Sequence, residues 1–209
     1  MSYCTYQINE TKRQRDQDFR TDSENWILQY EPLFTHALTL TFNHTKVRRM
    51  MMTDGDPSKL IGLRSNQAQT QRLIKDVDSS MMLSSAQMLE LYKASMRSFK
   101  WKLVKSLYGN AWKRFKLPIV FVPILEGLGR DQKPHYHCVV GLPNASHEAI
   151  ADTVCSIWSK TPFAGNRIDV QPYFSVGWAR YTTKNALFAN RESIDWENVL
   201  VPQPKSHDE

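Results

Sequence analysis

Two imidazoles and a carboxylate stand close together between Glu126 and Leu142, at His135, His137 and Glu126. The run from Ile119 to Glu126 is apolar and β-branched, the next eight residues are turn formers, and His135 to Leu142 reads as a second strand. That pattern is a β-hairpin. Side chains two apart on a strand share a face, so His135 and His137 point one way while Tyr136 and Cys138 point the other. With Glu126 closing the loop opposite His135, all three ligand-type groups would converge. The chemistry such a convergence offers is divalent-metal binding.

A His-x-His pair is weak by itself, since six histidines in 209 residues produce one by accident about one time in seven. Asp131, His36 and His44 are also available as ligands. The signal gains weight downstream, where Tyr181 and Lys184 stand at i and i+3 of a helix expected over 177–187, placing a phenol and an ammonium on one face. Upstream, Thr39 and Thr41 alternate with Leu38, Leu40 and Phe42, as in a half-buried strand. Both threonines read as structural. Phenol, cation and metal together suit phosphodiester chemistry.

In order, these elements resemble the HUH endonucleases, specifically rolling-circle replication initiators of the single-tyrosine kind. Leu38 to Phe42 looks like their first motif, His135-Tyr136-His137 like their paired metal ligands, and Tyr181 to Lys184 like their nucleophile motif. The resemblance covers roughly residues 34 to 187 and implies an α+β fold with a central antiparallel sheet of ferredoxin or RNA-recognition (palm-like) type, flanked by helices. It also implies that Tyr181 joins a 5′ phosphate of single-stranded DNA covalently and frees a 3′ hydroxyl at a replication origin. Tyr173 is eight residues away in a strand, so one nucleophile is assigned.

The elements that must position these groups are a strand over 34–43, a basic helix over 84–107, the hairpin over 119–142, a helix over 146–159, a strand over 167–174 and the helix over 177–187. Helices packed on an antiparallel sheet follow from the hairpin and the amphipathic helices alone. The basic helix carries Tyr92, Met96, Phe99, Leu103 and Leu107 as an apolar stripe. Eight cations and no acid lie between Lys93 and Lys116, so Lys93, Arg97, Lys100 and Lys105, with Arg180 farther on, are expected to meet phosphates. Residues 1–30 read as a polar N-terminal extension, 31–190 as the endonuclease-type domain, and 191–209, acidic and with two prolines, as a tail.

Net charge is +6, which favours a polyanionic partner. The three cysteines lack Cys-x-x-Cys spacing and read as reduced thiols, and no apolar run is long enough to span a bilayer. A cytoplasmic protein without membrane attachment is expected. Mixed nitrogen and oxygen ligation suits Mn2+ or Mg2+. No phosphate-binding loop for nucleotides is encoded, so strand unwinding falls to a separate helicase and extension to a polymerase. With one tyrosine, termination calls for self-association or attack by the displaced 3′ hydroxyl. Rival readings are a single-tyrosine transposase, a relaxase using Tyr3 or Tyr6, a hydrolytic metalloenzyme, and a noncatalytic nucleic-acid module that would display aromatics on its sheet.

Overall fold

The computed structural model describes residues 3–43, 85–127, 133–174, 177 and 193–202. Four strands form one antiparallel sheet: β1 (His36–Phe42), β2 (Val120–Glu126), β3 (His135–Gly141) and β4 (Ala164–Pro172), in the order β2-β3-β1-β4. Helix α1 (Tyr3–Leu28) precedes the sheet. Helix α2 (Ser85–Tyr108), followed by the single turn α3 (Ala111–Arg114), connects β1 to β2, and α4 (His147–Trp158) connects β3 to β4. This βαββαβ succession with β1 and β3 at the centre is the ferredoxin-like arrangement. The α+β expectation is met.

The strand alternation decides which layer each residue enters. On one face Leu38, Leu40 and Phe42 of β1, with Tyr136, Cys138 and Val140 of β3, pack beneath α2 and α4. The expected stripe of α2 supplies Tyr92, Met96, Phe99 and Leu103, all with no exposed surface. Ser146 caps α4 by accepting from the Ala149 N–H at 3.2 Å, and Ile150, Val154 and Trp158 turn inward. The Trp158 indole donates to Thr41 O, so its buried N–H is satisfied.

A second, smaller cluster covers part of the opposite face. Val120, Val122 and Ile124 of β2 and Val139 of β3 meet Ile27 from the end of α1, Phe34 and Ile194. Because both of its faces are covered, β2 reads as a continuous apolar run rather than an alternating one. The stretch expected as a polar extension is therefore helical, and its last turn is docked. Ile27 is fully buried, and Trp26 meets Trp196 edge to face at 5.0 Å.

Residues 193–200 correct the expectation of a tail. Phe121 and Leu200 exchange backbone hydrogen bonds of 2.7 and 2.9 Å, Leu125 N donates to Ser193 O, and Asp195 N donates to Pro123 O. The segment thereby pairs with the outer edge of β2 and detours through a 3-10 turn, Trp196–Asn198. Its acids are used locally: Glu197 pairs with Arg97 at 2.8 Å and with Lys93 at 3.7 Å, while buried Asp195 accepts from the Tyr136 hydroxyl at 2.8 Å. A count of charge and prolines could not reveal that pairing. Among the described residues, no helix is long and apolar enough to cross a membrane.

Candidate metal centre

The hairpin register is the one that convergence requires. Glu126 pairs directly with His135, and Ile124 with His137, so Glu126, His135 and His137 share a face. This is the face opposite α2 and α4, at the end where the second cluster stops. One ligand atom from each of the three side chains lies within 4.8 Å of the others. Glu126 Oε2 stands 3.6 Å from His135 Nε2 and 3.8 Å from His137 Nε2. Donors held about 2.1 Å from one ion sit about 3 Å apart when cis and about 4.2 Å when trans, a range that contains both separations.

The other ring nitrogens fix which atom faces the site. His135 Nδ1 is 2.8 Å from the Lys133 carbonyl, which can only accept, so Nδ1 carries the hydrogen and a neutral ring presents a lone pair at Nε2. His137 Nδ1 is 3.1 Å from Thr39 Oγ1, supplied by the residue paired with it on β1. Both imidazoles are thus oriented from behind, as metal-ligating histidines are. Glu126 Oε1 is buried and has no hydrogen-bond partner, so that oxygen lacks compensation from the protein. Two Nε2 atoms facing one shared carboxylate, that carboxylate and its orphaned oxygen fit a divalent cation.

Electrostatics separate the two rings. Contact with the Glu126 carboxylate raises the His135 pKa above the usual imidazole value, against the opposing effect of burial. Burial lowers that of His137, with Glu126 pulling upward and the neighbouring His135 pushing down. One carboxylate cannot hold two protonated rings 4.8 Å apart between centroids as readily as one. His135 is the first to take a proton, and protonation there competes with metal binding.

Gly127 ends β2 with a φ of +79°, and a Cβ at that position would strike the Lys133 carbonyl. The residue after the carboxylate ligand and the carbonyl behind His135 therefore touch, which ties the two strands together at the site.

The remaining expected residues separate into several groups. Tyr181, Lys184 and Arg180, with all of the helix expected over 177–187 except residue 177, lie outside the described residues, as do Asp131 and His44. His36 sits at the other end of β1 on the α2 side, stacked on His147 at 5.3 Å, and is no ligand of this centre. Tyr173 follows β4 at the end away from the site. Its hydroxyl donates to Glu31, and burial pushes its pKa up to about 12, which is unsuited to a nucleophile.

Of the cations expected at phosphates, Lys100 is corrected: it is 3% exposed, and its ammonium donates to Asn198 O at 2.9 Å. Lys93 and Arg97 face Glu197, and Lys105 is exposed. Thr39, expected as structural, is the partner of His137. Its position on the polar face was visible in the alternation, but its cross-strand neighbour was not. The aromatics of the central strands, Tyr136 and Phe42, are buried under the helices, so they offer no base-stacking platform. No protein-family model, curated protein or solved structure matches this chain.

Proposed function

We propose that the protein is a metal-dependent single-strand DNA endonuclease and strand transferase of the rolling-circle initiator kind. The observation that carries this reading is the convergence of Glu126, His135 and His137 with both Nε2 atoms facing inward. Manganese or magnesium bound there would polarise a nonbridging phosphate oxygen and offset charge developing in the transition state.

The protein's own groups divide the remaining work. The Lys133 carbonyl and Thr39 hold the two rings, and Glu126 supplies the negative charge. In the reaction, the Tyr181 phenol oxygen forms a bond to phosphorus while the P–O3′ bond breaks. The phenolic proton ends on the departing 3′ oxygen, leaving a 5′-phosphotyrosine and a free 3′ hydroxyl. Lys184 steadies the phosphate or the phenolate. The bond energy is retained, so another 3′ hydroxyl can reverse the step without a nucleotide cofactor. Ser193 O accepts from Leu125 N, beside Glu126, so Ser193, twelve residues after Tyr181 in the sequence, stands at the Glu126 end of β2.

The substrate is single-stranded DNA at an origin, with a separate helicase and polymerase acting before and after. The test is incubation of the protein with labelled single-stranded DNA and manganese, followed by a denaturing gel. A protein-linked product that disappears on chelation is expected. Cleaved DNA free of protein would replace transesterification by hydrolysis, and intact DNA would remove the nuclease reading.

A further inference from the structure

Once Lys93, Arg97 and Lys100 are assigned to the C-terminal segment, a different set of cations on α2 and α3 stands out. Lys105, Lys113 and Arg114 are exposed and take no part in the ion pairs among the described residues. They surround three aromatic rings. Trp101 is 42% exposed and Phe115 65% exposed, and Trp101 contacts Trp112 at 5.5 Å, which folds α3 back against α2. Lys113 lies over Trp112 at 5.2 Å, and Arg114 over Phe115 at 5.5 Å. On α2, Trp101 and Lys105 are one turn apart on the same outer side, while Leu103 and Val104 are buried. α2 packs on the sheet face opposite the Glu126, His135 and His137 centre, so this patch and that centre lie on different sides of the molecule.

The geometry points to a second surface, separate from the metal centre, that takes single-stranded nucleic acid by stacking bases on Trp101 and Phe115 and meeting phosphates with Lys105, Lys113 and Arg114. Interleaved rings and cations match the alternation of bases and phosphates along an unpaired strand. Duplex DNA keeps its bases stacked inside and would use only the cations, as would an acidic protein. The binding stands on its own observations; only the purpose, holding a strand while the opposite side cuts, rests on the nuclease reading.

The test uses the full chain carrying His135→Ala and His137→Ala, so that a labelled oligothymidylate of about 16 nucleotides is not cut while affinity is measured by anisotropy across a salt series. Replacing Lys105, Lys113 and Arg114 together by Gln should flatten the slope of log affinity against log salt by about 2. Phe115→Ala, at an open position, and Trp101→Ala should each weaken binding by about tenfold at fixed salt. Manganese binding by the same patch variants with the histidines restored should be unchanged, which confirms the fold. An unaltered salt slope with unaltered affinity overturns the inference. So does tighter binding of a duplex of equal length, or of vesicles rich in anionic lipid. If the protein forms no covalent adduct with DNA but the patch variants lose oligonucleotide affinity, the nuclease reading fails and this surface stands. If the adduct forms and the variants bind normally, the surface alone falls.

Discussion

Thr39→Val is the sharpest probe of the metal centre, because it deletes one oxygen and keeps the shape and β-branching of the side chain. In the native protein Thr39 Oγ1 lies 3.1 Å from His137 Nδ1, and Thr39 pairs with His137 across β1 and β3. Valine leaves that nitrogen facing a methyl group. The ring then loses a hydrogen bond that helps hold its angle, although every ligand atom is still present. Loss of such an outer partner weakens metal binding by about 10–100-fold, or about 1.4–2.7 kcal/mol. Thr41→Val is the matched control. The Thr41 hydroxyl donates to Arg167 O at 2.8 Å and accepts from Arg167 N at 3.2 Å, so although Thr41 pairs with His135 across the strands, its oxygen is engaged by the backbone of β4. It should cost about 1 kcal/mol of stability and leave metal affinity as it was. Isothermal titration with manganese, on variants of verified fold, measures both. Equal affinity in Thr39→Val and the native protein would refute the orienting role, and equal losses in the two variants would show that any disturbance of β1 suffices.

Gly127→Ala should weaken manganese binding and lower the melting temperature together, because a left-handed residue gains a Cβ that strikes the Lys133 carbonyl behind His135; normal metal affinity would show that the loop gives way harmlessly. Burial holds Lys100 at about 8 against an ordinary 10.5, so between those values the unfolded chain binds more protons and stability rises with pH. Relative to Lys100→Met, the native protein should gain about 3 kcal/mol of unfolding free energy over that window in urea titrations, and parallel curves would contradict it. Tyr181→Phe should abolish the covalent DNA adduct while Tyr173→Phe retains it, with the site read by peptide mass spectrometry; an adduct on Tyr173, Tyr3 or Tyr6 would overturn the assignment.

What was legible in the sequence follows from what each pattern encodes. Alternation told which residues of β1 and β3 share a face, and the turn between Glu126 and His135 closed the hairpin in the register that brings them opposite. Hence the triad was visible. Alternation carries no information about which strand lies alongside, so Thr39 looked like any polar-face threonine until β1 was placed next to β3. Charge counting failed differently. Lys100 and Asp195 are both charged residues in regions that read as solvent-facing, yet one is 3% and the other 1% exposed, because the segments that bury them are nearly a hundred residues apart. Charge density along a helix reports how many cations it carries, not which of them a distant acid or carbonyl will claim. The cations that remain exposed could be identified only after those partners were known.

The strap formed by residues 193–200 has a consequence for synthesis of the chain. Ile124 waits about seventy residues for Ile194, and Phe121 longer for Leu200. At about 5–20 residues per second, the outer edge of β2 leaves the ribosome roughly 4–14 seconds before the backbone that will pair with it. During that interval a nascent sheet carries an open row of donors and acceptors, the feature through which partly made chains pair with one another. Pro123 lies midway between Phe121 and Leu125, whose N–H groups both point to that edge, and it has no N–H to offer. The row is therefore interrupted in the middle. The native strap detours past the gap with its 3-10 turn, whereas a straight intruding strand would leave an unmatched carbonyl there. A Pro123→Val chain should be the more aggregation-prone during translation, even though its finished fold could accommodate the change.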